Sequence, residues 1–214
     1  MSASRPPLVT LRGKEIRLEP FTRDRIIDLM PAIGHPIVFE EGYGGGIDAF
    51  SEDADVFAEW ALDYYNFDTA NPYLVVVENG PLRDRVIGTT TLGDFNERNE
   101  SAHIGWTAFD PRVWGSVANA ESKYLLLELA FSHGFGRIKI QTDIINKRSQ
   151  KAIQAIGATY EGISRRDKQR ADGTWRDAAV FSIIIDDWPR VKANLERMIE
   201  ERSHEPIEFR DIVD

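Results

Sequence analysis

The spacing of apolar residues changes repeatedly along the chain, and each change marks an element. Leu8 to Phe21 reads as two short strands about Gly13-Lys14, the second alternating Ile16 and Leu18 with Arg17 and Glu19. Thr22 then caps a helix through Asp28 to Ile33, which Gly34 and Pro36 stop. Glu41 to Phe50, with glycine at 44, 45 and 46, is expected to be a flexible loop. A second helix starts at Ser51, carries acids in its first turn and places Val56, Trp60 and Tyr64 on one stripe. Strands follow at Tyr73 to Glu78, Val86 to Gly93 and Ala102 to Phe109. The next helix runs to about Ser132, with Leu125, Leu126 and Leu129 at core spacing, and Gly134 and Gly136 end it. Strand Arg137 to Asp143 and a short helix from Ser149 to Ile156 come next. Thr159 to Gln169 and Thr174 to Ile185 form a hairpin across Asp172-Gly173. Pro189 opens a last helix with Val191, Leu195, Met198 and Ile199 on one face. This order predicts an α/β fold, a mixed sheet with helices on its faces.

One joint in this order has a chemical consequence. After the strand ending at Phe109, Asp110-Pro111 breaks the chain, and Gly115, Ser116, Val117 and Ala118 lead into the long helix. Uncovered N–H groups and the positive end of a helix dipole make such a joint a candidate anion site.

Charge sharpens the picture. The net charge is −9, but from Ile26 to Leu82 there are 11 acids and no Lys or Arg. From Arg112 to Arg176 there are 12 basic and 6 acidic residues. One region should attract cations and another anions. Nucleic acid is a poor partner, because the basic excess is modest and the acidic region would repel a polyanion. The absence of cysteine excludes disulfides, thiolate zinc sites and a cysteine nucleophile. The four histidines have no ligand spacing, so no metal is expected. No apolar run of membrane-spanning length occurs and the first residues lack a signal-peptide core, so a cytoplasmic protein with no membrane partner is expected.

Five stretches, in order, carry a resemblance: LRGKEIRLEPFT, VIGTTTL, HIGWTAFDPRVWGSVANAESKYLLLELAF, NKRSQKAIQAIGATYEG and DGTWRDAAVFSIIIDDWP. Together they resemble the GNAT superfamily of acetyl-CoA-dependent N-acetyltransferases, nearest the branch that acetylates ribosomal-protein N-termini. The similarity runs from about Leu11 to Pro189. It implies a GNAT acyl-CoA N-acyltransferase fold, a mostly antiparallel mixed sheet of about seven strands flanked by helices. The domain is expected over residues 8–189, with a C-terminal helix and a loosely held acidic tail over 190–214. The Val191–Ile199 stripe covers its own sheet or helps form a homodimer.

The resemblance also implies a site. Acetyl-CoA, the cosubstrate, would place its pyrophosphate on Trp114, Gly115, Ser116, Val117, Ala118 and Asn119, where Val117 stands at a position the family usually gives to glycine. Its pantetheine arm would pair with backbone near Thr107 and Phe109, and a main-chain N–H near Trp106–Thr107 would hold the developing oxyanion. Asn146 would hydrogen-bond the cosubstrate. The tyrosine many members use as acid is Ile153 here, so Ser149 is expected to protonate the leaving thiolate, with Glu161 as base. His103, at the start of the central strand, is expected to be structural. Glu40, Glu41, Tyr43 and Trp60 would wall a groove for a cationic acceptor amine, a peptide N-terminus or a small molecule. At pH 7 an α-amine loses its proton for about 1.4 kcal/mol, whereas a lysine needs about 4.6. Val117 and the missing tyrosine also leave a non-catalytic acyl-CoA-binding or scaffold protein as the alternative.

Overall fold

The computed structural model describes residues 2–212. Eight strands form one sheet: β1 (Leu11–Arg12), β2 (Ile16–Pro20), β3 (Asn71–Val77), β4 (Val86–Asn96), β5 (Ser101–Phe109), β6 (Arg137–Asp143), β7 (Thr159–Gln169) and β8 (Trp175–Ile184). Their order across the sheet is β1-β2-β3-β4-β5-β6-β8-β7. Every pairing is antiparallel except β5 with β6. The expected class holds, with one strand more than anticipated.

The sheet is covered on both faces, and β3 shows why its sequence is apolar without alternation. All seven of its residues are buried. Tyr73, Val75 and Val77 face one core cluster, and Leu74 and Val76 face the other. Over the first face lie helices α4 (Ala118–Ser132) and α6 (Trp188–Arg202). Over the second lie α1 (Ile26–Ile33), α2 (Pro36–Glu40) and α3 (Ala54–Tyr64). A short helix, α5 (Lys147–Ala155), follows β6.

Several expectations need correction. Residues 36–40, for which the sequence predicts no element, form a helical turn opened by Pro36 at its first position. Helix α3 begins at Ala54, because Asp53, not Ser51, accepts the hydrogen bonds from Asp55 N and Val56 N. Its stripe of Val56, Trp60 and Tyr64 borders a cleft, while Phe57 and Ala61 make the core contact. On α4 the fully buried leucines are Leu126 and Leu127, with Leu125 and Leu129 partly covered. Val191 and Leu195 of α6 are buried in the first cluster, with Met198 and Ile199 packed against it. That stripe is therefore covered within the chain and lends no support to a homodimer.

The tail is also more than a loose appendage: Ile207 is buried, Arg210 N donates to Arg112 O, and the Arg112 guanidinium lies 3.8 Å from the Phe209 ring centroid. Residues 213–214 lie outside the described residues. At the other end the packed body starts before residue 8, since Ala3 is buried and Arg5 binds Asn71 Oδ1 and Ala70 O.

Candidate active site

The sheet opens where its one parallel pair meets. β5 and β6 are paired only at Ser101, Ala102 and His103. Beyond His103, β5 continues alongside β4 alone, and β6 alongside β8 alone. Facing backbone edges are thus left apart, an exception to the rule that strand edges are paired or covered. A cleft of about 1050 Å³ fills the gap.

On its β5 side the ladder with β4 is irregular between Thr89 and Thr91, and Trp106 takes a left-handed φ of 48°. Such bulges re-aim backbone and side chains at functional sites.

One end of the cleft is the start of α4. Gly115 has a φ of 81°, which side-chain-bearing residues rarely adopt, and nothing lies within 4 Å of where a Cβ would stand. Val117 has the ordinary helical φ of −64° and its side chain is buried in the core. It therefore does not intrude on the loop, and glycine is not required there. Gly115, Ser116, Ala118, Asn119 and Trp114 all line the cleft. Trp114 Nε1 donates to Phe109 O, and the Arg148 guanidinium stacks on the Trp114 ring, 3.1 Å from its centroid. A fixed cation beside a bare helix N-terminus suits a diphosphate. The joint is held from behind by Glu121, whose carboxylate accepts from the amides of Lys14, Glu15 and Ile16. Burial pushes its pKa up, against the pull of those three donors.

The β6–α5 corner supplies the opposite wall. Asn146, not Ser149, caps α5: its Oδ1 accepts from Ser149 N at 2.7 Å, and its Nδ2 donates to Glu41 O at 3.1 Å. Both ends of this amide are engaged by the protein. Ser149 and Ile153 line the cleft, as do Thr107 and Phe109. Glu161 does not. It lies on β7 outside the cleft, where its carboxylate accepts from Arg137 and Ser182. A strand presents alternate residues to opposite faces, and the groups that bind Glu161 are on the neighbouring strands rather than in the gap.

The glycine-rich loop is anchored rather than free. Tyr43 Oη contacts Tyr65 Oη at 2.5 Å and donates to Trp106 O at 3.2 Å. Trp60 Nε1 donates to Gly44 O, and Ala171 N of the β7–β8 turn donates to Gly45 O. The loop thereby bridges from α3 to the hairpin, over the parted strands. Tyr43, Trp60 and Glu41 line the cleft, but Glu40 is exposed outside it.

Nor is the groove simply acidic. Asp48, Glu59 and Asp63 line it from the loop and α3, yet Lys168, Arg170 and Arg176 enter from the hairpin. Arg170 pairs with Asp143 at 2.6 Å, and Arg176 with Asp167 at 3.0 Å. The Arg- and Lys-free segment makes one wall only, and residues more than a hundred positions later make the other.

Two buried polar residues of the lining were not legible as functional groups in the sequence. Lys123 is buried on α4, and its Nζ donates to Thr107 Oγ1 at 2.9 Å, which in turn shares a hydrogen bond with Thr90. With no carboxylate to compensate, burial lowers its pKa to about 7. His103 is buried with Nδ1 3.0 Å from Asp94 Oδ2. Burial, aided by Lys139 and Lys123, pulls its pKa down, against the Asp94 bond that raises it. A single lysine inside a helix reads as solvated, and a single histidine at a strand start as packing. Among the described residues no group of three His, Asp or Glu is placed to hold a metal, and no helix is long and apolar enough to cross a membrane.

A parted parallel pair, a bulged strand and a phosphate-suited helix start define the acyl-CoA acyltransferase class. Residues 16–159 match the family model described as acetyltransferase (GNAT) domain. The chain belongs to this GNAT acetyltransferase family, whose members use acetyl-CoA.

Solved structures agree. A candidate acetyltransferase from T. thermophilus is 27% identical, with 88% of this chain and 96% of that one covered and a TM-score of 0.76. A GCN5-related N-acetyltransferase from Brucella melitensis is 20% identical, covering 97% and 95%, with a TM-score of 0.81. The Mycobacterium smegmatis RimJ complex with CoA-disulfide is 16% identical, covering 87% and 90%, with a TM-score of 0.66. At such identities the last two speak for the fold alone. No curated protein sequence matches significantly.

Proposed function

We propose that this protein transfers the acetyl group of acetyl-CoA directly to a primary amine, a peptide N-terminus or a small cationic amine. The observation that carries this reading is the divergence of β5 from β6 beyond His103, next to the bulge at Trp106. A pantetheine arm can take the place of the missing strand on β5, with its diphosphate against the amides that open α4 and the Arg148–Trp114 stack above. The thioester then reaches the bulge, where a main-chain N–H near Trp106–Thr107 stabilises the oxyanion. A preorganised donor of this kind is typically worth about 2.7–4 kcal/mol in the transition state.

Amine nitrogen attacks the carbonyl carbon, the C–S bond breaks, and the thiolate leaves with a proton. Ser149, on the cleft wall with its backbone N–H held by Asn146 Oδ1, is suited to give or orient that proton with its hydroxyl. No cysteine exists to carry the acetyl group, in keeping with direct attack. The Trp60, Tyr43 and Tyr64 rings, with Glu59 and Asp63, favour a cationic nitrogen on the acceptor side. Resemblance to the ribosomal-protein branch makes peptide N-termini the first acceptors to test.

A thermal-shift titration with acetyl-CoA, followed by a thiol-release screen over peptides, polyamines and aminoglycosides, tests the reading. Stabilisation together with thiol release on one acceptor class is expected. Stabilisation without turnover on any amine would instead mark a binding module. Ser149→Ala should lower kcat with little change in acetyl-CoA affinity, and unchanged turnover would remove Ser149 from the mechanism.

A further inference from the structure

His103 stands where β5 parts from β6, and its surroundings are arranged around one unsatisfied atom. Nδ1 is bonded to Asp94, but Nε2 is buried and has no hydrogen-bond partner among the described residues. A buried ring nitrogen left without a protein partner can take a hydrogen bond from a ligand N–H. The ring lies along the strand across Gly105: a Cβ at 105 would stand 2.7 Å from Cε1 and 2.8 Å from Nε2. The missing side chain lets the imidazole lean toward Trp106, with ring centroids 5.2 Å apart, and so toward the bulge.

Asp94 is aimed by a second irregularity. β4 and β5 lose register between Gly93 and Asn96, and Asp94 there has a left-handed φ of 50°. Two distortions of the same strand pair, each with a non-glycine residue in the left-handed region, thus bracket this one side chain. Both His103 and Asp94 line the cleft.

We infer that His103 is the general base of the transfer, taking the acceptor's proton on Nε2 while Asp94 holds Nδ1–H. This rests on the N-acetyltransferase reading above and deepens it. The acceptor ammonium gives one proton to Nε2, leaving a neutral amine and an imidazolium paired with Asp94. The amine lone pair forms the N–C bond, and the C–S pair leaves as thiolate. The thiolate takes the second nitrogen proton by way of the Ser149 hydroxyl as the amide forms, and the imidazolium returns its proton to water.

The charged groups facing the pair are Lys139 from β6, Lys123 from α4 and, toward Asp94, Lys168 from β7. Burial first, then Lys139 and Lys123, lowers the proton affinity of the imidazole and so favours the neutral form a base needs.

The experiment compares wild type, His103→Gln, Asp94→Asn and His103→Ala with added imidazole. It uses acetyl-CoA with an alanine-initiated peptide and with spermidine. Expected for the wild type is a kcat/KM that falls on acidification through an apparent pKa below 6.5. In His103→Gln that limb should disappear and kcat should drop about 10²–10⁴-fold, with acetyl-CoA affinity by calorimetry unchanged. Asp94→Asn should lower kcat at least tenfold, and imidazole should partly restore His103→Ala.

Because a variant at a buried site can fail to fold, nitrogen-15 NMR of the wild-type imidazole provides a second measurement. The Nδ1–H tautomer is expected, and an Nε2–H tautomer at pH 7.5 overturns the assignment. Variants that retain kcat and the acidic limb, in an enzyme that does acetylate an amine, overturn the base and leave the transfer reading standing. A wild type that acetylates nothing overturns both.

Discussion

Lys123 offers the sharpest physical test of the cleft, because its cost can be worked from its burial. The group titrates ordinarily at 10.5 and near 7 in the folded protein. At about 1.4 kcal/mol per pH unit, keeping this lysine buried costs at most about 4–5 kcal/mol near neutral pH. Between about pH 7 and 10.5 the unfolded chain binds more protons here than the folded one, so this contribution makes stability rise with pH across that window. Below about 7 both states are protonated and the full penalty applies; above 10.5 both are neutral and it vanishes. Lys123→Met keeps the unbranched shape and removes the titration, at the expense of one hydrogen bond to Thr107, roughly 1 kcal/mol. Thr107 retains Thr90 as a partner. The variant should therefore be more stable than wild type by about 3 kcal/mol at pH 7, and the gap should close by about 1 kcal/mol per pH unit on going toward pH 9. Urea unfolding of both proteins at pH 6, 7, 8 and 9 measures it. A gap that is constant with pH, or a variant less stable throughout, would show that Lys123 is charged and solvated in the native protein and would refute the burial argument.

Other outcomes follow from single contacts. Glu121→Gln leaves an amide in place of a carboxylate that accepts from three backbone N–H groups, so stability should fall by about 2–3 kcal/mol in chemical denaturation. Glu161→Ala removes bonds to Arg137 and Ser182 outside the cleft, and kcat should stay within about twofold of wild type in steady-state assays. Gly115→Ala meets no steric clash but must hold a φ of 81°, at about 1–2 kcal/mol. Calorimetric titration should show acetyl-CoA binding weakened about tenfold if the loop relaxes out of its binding geometry.

Much of this architecture is written in local signals. The alternation at Ile16 and Leu18, the Asp172-Gly173 turn, and the glycines at 115 and 134 act within a few residues, and the elements they predict are those observed. The phosphate-suited joint was equally legible, since a helix start needs only its own few residues. Charge along the chain also placed the acidic wall on the loop and α3. Position in space was another matter. Family resemblance makes Glu161 a candidate base, but the face a strand residue presents is set by its neighbours in the sheet, and Arg137 and Ser182 claim this one. The basic wall of the cleft comes from Lys168, Arg170 and Arg176, which reach it only because β7 and β8 fold back beside β6.

His103 and Lys123 show the same division most plainly. Taken along the chain they are one histidine and one lysine, with no partner at a telling distance in sequence. Burial, the register breaks in β4 and β5, and the bare Cα of Gly105 are properties of strands brought together from apart, and proton affinity responds to surroundings rather than to sequence neighbours. The amino-acid order by itself determined the elements, their succession and the glycine-led joint at the start of α4, because those depend on short-range geometry. Only the tertiary structure decided which side chains meet in the gap between β5 and β6 and which way their proton affinities shift, because desolvation exists only once the chain has closed around them.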